Sequence, residues 1–181
     1  PVLGVGGMQL YRAETPGAVK DKRLTPRILQ TAKRLSLVYL LLTVACVVAY
    51  RTAGMGGFDA IAHAFSTVST GGFSTHDASL GYFHSPNIEW VAILFMFLGG
   101  VNFTLHFMAW SKGAGLRQYW EDPEFRAYCG VLVAMGLFIA LYLWNHQVHP
   151  APGTTLRHAA FAWVAMQTTT GFITEGFQLW P

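Results

Sequence analysis

Three long apolar stretches constrain the fold of this chain more strongly than any other feature. They cover residues 35–54, 88–110 and 125–144, and charged side chains occur only near their ends. A helix needs about 20 largely apolar residues to cross the roughly 30 Å hydrocarbon layer of a membrane. Charged residues form only 12% of the chain, about half the share that is usual in soluble domains. The sequence therefore predicts an all-α membrane protein with three transmembrane spans.

The lysines and arginines are distributed unevenly around these spans. All but two of the 12 precede the first span or lie between the second and third, and only Arg51 and Arg157 lie on the other side. Because basic residues mark the cytoplasmic side of membrane proteins, we expect residues 1–34 and 111–124 to be cytoplasmic. The alternative, a solvated charge run on a soluble helix, is disfavoured by the neighbouring apolar spans. The formal net charge of +3 is too small to indicate nucleic acid as a partner.

Two further apolar segments are too short to cross a membrane. Residues 59–69 and 154–167 have helical character, but a helix of this kind rises only about 16 Å over 11 residues. Apolar runs of this length are typical of re-entrant helices, which enter the membrane and stop. We expect the first to begin at a capping side chain, Asp59, and the second at Thr154 or Thr155.

Each short helix is followed by a segment rich in hydroxyl groups and glycine. "STGGFST" covers residues 69–75 and "TTTGFIT" covers residues 168–174, and at an offset of 99 four of the seven positions are identical. The identical pairs are Thr70/Thr169, Gly72/Gly171, Phe73/Phe172 and Thr75/Thr174. The same placement in both halves indicates a repeated unit of span, pore helix, filter segment and returning span.

The physical chemistry of such a unit points to an ion path. Non-helical backbone inside a membrane is tolerated only where its carbonyls are buried in protein or face water, and carbonyls around a narrow axis can replace a cation's hydration shell. Neither segment contains an acidic residue, which favours a weakly hydrated monovalent ion over Mg²⁺ or Ca²⁺. We predict filter segments at residues 69–73 and 168–172. The predicted ligands are Ser69, Thr70, Gly71, Gly72, Thr168, Thr169, Thr170 and Gly171. Hydroxyl-rich turns at the membrane surface are the alternative.

At these residues the chain resembles a known family. The segments "HAFSTVSTGGFSTHDASLGYF", "TTTGFIT" and "PVLGVGGMQLYRAE" are similar to the membrane subunit of the Trk/Ktr potassium-uptake systems, of the TrkH type. The resemblance implies a potassium-channel-like fold of four consecutive span–pore-helix–span units around one pore. It further implies potassium uptake down its electrochemical gradient across the bacterial inner membrane, with potassium as transported substrate and no cofactor. The implied partners are membrane lipid, a second copy in a homodimer and a cytoplasmic nucleotide-binding regulatory subunit.

The resemblance also divides the chain. Residues 1–34 correspond to the cytoplasmic tail of the first unit and residues 111–124 to a cytoplasmic loop. Residues 35–110 form a complete second unit, and residues 125–181 carry the third as far as its filter. We therefore expect an incomplete, multi-pass fragment that supplies two filter segments of four, with the third unit's returning helix and its gate after Pro181.

Other polar residues give weaker signals. His146 and His149 form an H-x-x-H pair, but zinc needs a third or fourth ligand, so we interpret them, with His84 and His158, as surface histidines. Asn102 and His106 lie four apart on the second span and are predicted to share one helical face. There they could form hydrogen bonds between helices or contribute to conduction.

Few features favour an enzyme. The sequence contains neither H-E-x-x-H nor G-x-S-x-G. Ser74 and His76 could belong to an intramembrane hydrolase, the enzyme alternative, with Asp77 the nearest acid. A cation channel of another pore-loop family is the other alternative. We predict a transporter without catalytic residues.

Overall fold

The structure, a computed structural model, describes residues 28–111, 115–176 and 180, with side chains described for residues 32–109, 115–176 and 180. The described residues form helices and no strands, as expected for an all-α membrane protein. The helices are α1 (Ile28–Thr52), α2 (Gly57–Val68), a 3₁₀ helix (Ser79–Phe83), α3 (Pro86–Gly100), α4 (Phe103–Ser111), α5 (Arg117–Glu121), α6 (Pro123–Asn145) and α7 (Pro152–Gln167). The segment "PVLGVGGMQLYRAE" and most of the predicted cytoplasmic residues 1–34 lie outside the described part.

Within the described part of the chain, two helices are long and apolar enough to cross a membrane: Ala32–Thr52 of α1 and Pro123–Asn145, which is α6. In α6, Leu143 is the one residue buried by the rest of the chain. Apolar side chains exposed on nearly every face of a helix are expected where lipid is the surrounding solvent. The lengths and compositions of α1 and α6 agree with transmembrane helices.

The predicted span 88–110 is interrupted in the structure. Helix α3 ends at Gly100 and α4 begins at Phe103, so the pair provides a third span only if the two helices are counted together. Two glycines, which are weak helix formers, precede the break. The Asn102 side chain then accepts a hydrogen bond from the Thr104 amide (3.0 Å), as an N-cap residue does. The interpretation of Asn102 and His106 as neighbours on one continuous helix is therefore wrong.

The chain divides into two compact units. The first contains described residues up to Leu41 and residues 101–128, and the second contains residues 42–100 and the described residues from Cys129 onward. In the first unit, His106 Nδ1 lies 2.7 Å from the Tyr119 hydroxyl, and the Arg34 guanidinium lies over the Phe107 ring at 5.3 Å. Both half-length helices and both predicted filter segments belong to the second unit.

The half-length helices start earlier than predicted. Helix α2 has Gly56 as its N-cap and α7 has Ala151, and neither position makes a side-chain capping bond. Asp59, Thr154 and Thr155 are therefore not caps, although an acidic residue in the first turn, such as Asp59, is favoured by the helix dipole. The second helix instead begins with Pro152 in its first turn, where the missing N–H costs nothing.

Candidate cation filter

Helices α2 and α7 end with the same set of backbone hydrogen bonds. Around the C-cap Ser69, the amides donate to carbonyls of the last turn: Ser69 to Phe65, Thr70 to Thr67 and Gly71 to Ser66, at 3.1, 3.1 and 2.7 Å. The equivalent bonds 99 positions later are Thr168 to Val164, Thr169 to Met166 and Thr170 to Ala165, at 2.9, 3.0 and 2.8 Å. The two bonds beyond each C-cap define a Schellman motif. The sequence repeat is therefore also a repeat of backbone structure.

The backbone beyond each helix turns into the left-handed region at two equivalent positions. Thr70 and Thr169 have φ of 52° and 58°, and Gly72 and Gly171 have φ of 71° and 78°. Glycine adopts positive φ readily, but a β-branched residue there is an outlier and costs on the order of 1–2 kcal/mol. Strain of this kind persists where surrounding structure enforces it, commonly at functional sites. Sequence reasoning anticipated the glycines but not the strained threonines.

The two glycines differ in the space around them. A Cβ on Gly72 would overlap the carbonyl oxygen of Thr170, whereas a Cβ on Gly171 would meet nothing within 4 Å. Gly72 is thus required by both its dihedral angle and the close approach of the other segment. Gly171 is required by its dihedral angle alone.

The hydroxyl groups of the predicted ligands bond mainly to the protein. Thr168 Oγ1 donates to the carbonyl of Val164 at 2.7 Å, so the 2.7 Å contact between the Thr168 and Thr170 hydroxyls has Thr170 as donor. Thr70 Oγ1 donates to the Ser69 carbonyl at 2.8 Å. Thr168 and Thr170 are buried, while Ser69 and Thr169 are exposed. Backbone carbonyls are therefore the main ligands that these segments can offer to an ion.

A network of hydrogen bonds that includes Tyr50, His63 and Thr67 stabilises the last turns of α2. Thr67 Oγ1 donates to the His63 carbonyl at 2.6 Å, so the Tyr50 hydroxyl donates to Thr67 Oγ1 at 2.8 Å. The His63 ring is fully buried, with Nδ1 2.8 Å from the Asp59 carbonyl and Nε2 2.9 Å from Ser74 Oγ. Since a carbonyl only accepts, Nδ1 carries the ring proton and Ser74 donates to Nε2. Burial lowers the pKa of His63, which favours this neutral form.

The contacts of Ser74 and His76 are relevant to the hydrolase alternative. The Ser74 hydroxyl bonds to His63, while the His76 ring stacks on Tyr82 with the ring centroids 3.6 Å apart. His76 Nε2 lies 3.5 Å from an Asp59 carboxylate oxygen. A hydrogen bond of 2.7 Å from Thr75 Oγ1 lowers the pKa of the Asp59 carboxyl. Ser74 thus bonds to the ring of His63, a fully buried histidine.

The loop that leads out of the first filter segment packs against the second. The Gly81 amide donates to the Ile173 carbonyl at 3.2 Å, and the Ile173 amide donates to Ser79 Oγ at 3.3 Å. A Cβ on Gly81 would overlap the Thr174 carbonyl. This loop is thus held against residues 173 and 174, directly after the second segment, by two hydrogen bonds and a close backbone approach.

A buried ion pair, which sequence reasoning missed, connects the same two repeated units, residues 35–110 and residues 125–181. The Glu89 side chain is only 7% exposed, and its Oε2 lies 2.7 Å from Arg157 Nε. The sequence did contain a signal for this pair, since one acidic and one basic residue lie near the ends of otherwise apolar helices. Because the two residues are 68 positions apart, local sequence patterns could not predict that they pair.

Half-length helices that stop at strained, carbonyl-bearing turns define a pore-loop type of membrane protein. All 181 residues match the family model TrkH, described as cation transport protein. The chain is 52% identical to the Trk system potassium uptake protein TrkH of Salmonella typhimurium and 51% identical to that of Escherichia coli K12. Each alignment covers 100% of this chain and 37% of the relative. The crystal structure of the potassium transporter TrkH from Vibrio parahaemolyticus matches with a TM-score of 0.85 at 45% identity, over 97% of this chain and 38% of that one.

The chain therefore belongs to the TrkH family of cation transport proteins, and the predicted family and potassium-channel-like fold are confirmed. It spans a little over a third of the length of these relatives.

Proposed function

We propose that this chain forms part of the pore of a potassium-uptake protein, in which residues 69–72 and 168–171 supply two segments of the selectivity filter. The observation that carries the proposal is the repeated helix end, with threonine and then glycine at positive φ in both segments. Positive φ at every second residue of each segment lets carbonyls be presented toward one side, as a cation path requires. The proposed units are residues 35–110 and residues 125–181.

In this mechanism, potassium sheds water as backbone carbonyls replace its hydration shell. The C-terminal ends of α2 and α7 point their negative dipole ends at the filter segments, which favours a cation over an anion. Because the segments hold no acidic residue, they favour a monovalent ion over a strongly hydrated divalent one. The membrane potential drives entry with about 2.3 kcal/mol per charge for each 100 mV.

The setting of this pore is part of the proposal. The chain lies in a bacterial inner membrane, with residues 1–34 and 111–124 on the cytoplasmic side, as the distribution of lysine and arginine favours. In the whole protein it assembles as a homodimer with a cytoplasmic nucleotide-binding regulatory subunit. The relatives' name, Trk system potassium uptake protein, supports a role within a larger system.

Uptake of radioactive rubidium by cells that lack their own potassium transporters tests the proposal. The full-length parent protein should restore uptake, and Gly171→Asp should abolish it, because the variant adds a side chain and a charge at a filter position. Gly130→Ala is the matched control, since a Cβ there meets nothing within 4 Å and lies on α6, outside the filter. Equal uptake by Gly171→Asp and Gly130→Ala, at equal amounts in the membrane, would refute the role of the repeated segments.

Selectivity provides a second readout. Gly72→Ser should lower the preference for potassium over sodium in whatever uptake remains, because any side chain at position 72 displaces the Thr170 carbonyl. An unchanged preference would remove Gly72 from the filter.

A further inference from the structure

Three side chains that the proposed ion path does not use converge beside the second filter segment. His149 lies in the loop before α7, His158 lies on α7, and Glu175 follows the filter segment; together they are called the His–Glu cluster. His149 is only 9% exposed, so its interpretation as a surface histidine is wrong. His146, the other member of the H-x-x-H pair, is exposed as predicted.

The donor atoms of the cluster are arranged around a common point. His149 Nε2 lies 3.2 Å from Glu175 Oε1, and His158 Nδ1 lies 3.8 Å from Glu175 Oε2. One ligand atom from each residue falls within 4.8 Å of the other two. Bond lengths of 2.0–2.2 Å in a tetrahedral zinc site place ligand atoms about 3.3 Å apart, so an ion requires side-chain shifts of about an ångström.

One atom of the cluster lacks a hydrogen bond. His149 Nε2 is buried and has no hydrogen-bond partner among the described residues, although a Glu175 oxygen lies close to it. A buried polar atom without a partner costs free energy comparable to a lost hydrogen bond. A metal ion between the imidazole and the carboxylate would satisfy both groups.

The neighbouring groups orient the Glu175 carboxylate and give the cluster a net negative charge that favours a cation. Trp180 Nε1 donates to Glu175 Oε1 at 2.9 Å, the kind of outer contact that orients a metal ligand. Glu89 Oε2 lies 4.0 Å from His158 Nδ1, so two carboxylates face the cluster against one guanidinium, that of Arg157. With neutral imidazoles these groups carry a net negative charge.

Arg157 opposes binding in one respect. Its Nη2 lies 3.4 Å from His158 Nε2, which favours the ring proton on Nδ1. Coordination through Nδ1 moves that proton to Nε2, and the contact with Arg157 then has to lengthen.

We propose that His149, His158 and Glu175 bind a divalent transition-metal ion, with zinc as the ion whose ligand preference the set matches. Two imidazole nitrogens and one carboxylate suit zinc, whereas Mg²⁺ and Ca²⁺ require oxygen ligands. A bound ion would tie the end of the second filter segment to the start of α7. The site is therefore placed to let external zinc modulate the proposed uptake, a consequence that rests on the proposed function.

Titration of zinc into the purified full-length parent protein, after treatment with a chelator, tests the site by calorimetry. His149→Ala should weaken binding at this site by at least about tenfold, since even the loss of an outer-shell contact weakens metal binding by about 10- to 100-fold. His146→Ala, which removes the exposed histidine of the same pair, should bind zinc like the wild type. Glu175→Gln, which preserves the side-chain shape, should reproduce the loss if His149→Ala misfolds.

Absence of zinc binding by the wild type, or the same affinity in His149→Ala and Glu175→Gln as in the wild type, would overturn the site. The measurement does not depend on transport, so its failure would leave the potassium proposal standing. A failed uptake experiment would likewise leave the zinc site intact.

Discussion

Arg157 Nε and Glu89 Oε2 lie 2.7 Å apart in a pair whose side chains are 17% and 7% exposed. The pair joins α7, the proposed pore helix of the third unit, to α3, which belongs to the proposed second unit. Because α7 carries one predicted filter segment at its end, this contact positions the segment relative to the preceding unit.

Removing one charge of this pair should destabilise the protein strongly. Glu89→Gln leaves the Arg157 guanidinium buried without its counter-charge, and breaking a buried ion pair from one side costs about 3–5 kcal/mol. The thermal unfolding midpoint of the purified full-length protein in detergent measures the effect. The double variant Glu89→Gln/Arg157→Met should recover part of the loss, since no uncompensated charge remains. A double variant that loses as much stability as Glu89→Gln and Arg157→Met lose together when made separately would argue against direct coupling.

Alanine at Gly72 and at Gly171, the two glycines of the predicted filter, should have unequal effects. Gly72→Ala imposes both an unfavourable φ and an overlap with the Thr170 carbonyl, whereas Gly171→Ala imposes the unfavourable φ alone. We expect Gly171→Ala to cost on the order of 1–2 kcal/mol and Gly72→Ala to cost more. Thermal unfolding and rubidium uptake of the two variants, at matched expression, measure the difference. Equal losses would mean that the two segments do not approach each other at position 72.

Replacing a strained threonine should separate backbone strain from the loss of its hydroxyl group. Thr70→Gly relieves a positive φ that costs about 1–2 kcal/mol, against about 0.5–1 kcal/mol for the flexibility of glycine. Thr70→Val keeps the strain and loses the hydrogen bond to the Ser69 carbonyl. Thr70→Gly should therefore unfold at the higher temperature of the two. The reverse order would contradict a left-handed conformation at residue 70.

Lowering the pH should destabilise the hydrogen-bond network at the end of α2, because His63 becomes protonated. Burial, the main cause, lowers the pKa of His63, with His76 acting in the same direction and Asp59 opposing it. Unfolded chains take up a proton at the ordinary histidine pKa of about 6.5, while folded His63 resists it. Its stabilising effect is thus fully present above that pH and is lost as the pH falls through the lowered folded pKa.

The unfolding temperature should accordingly fall as the pH drops below about 6.5, the ordinary histidine pKa, until the pH passes the lowered pKa of folded His63. His63→Gln retains a partner for Ser74 but cannot titrate, so its unfolding temperature should fall less over the same pH range. An identical fall in both proteins would assign the pH dependence to other groups.

Local patterns predicted the repeat that the backbone of the two segments follows. The pairs Gly72/Gly171 and Thr70/Thr169 were recognised as repeated from seven-residue segments, and both pairs have matching positive φ. The repeat did not predict the burial of equivalent side chains. Phe73 is 81% exposed, whereas its equivalent Phe172 is 1% exposed and packs near His63. Equivalent side chains meet different neighbours wherever the surrounding units differ. The filter ligands themselves stay a prediction that the uptake experiments test.

The sequence by itself determined the class of protein, the repeated unit and the family, because apolar length, charge distribution and short motifs are properties of the linear chain. Only the tertiary structure decided that Gly72 lies against Thr170, that Glu89 pairs with Arg157 and that His149 is buried beside Glu175. Each of these contacts joins residues distant in sequence and depends on how helices pack. Helix packing is set by the summed fit of many side chains, which no local pattern records.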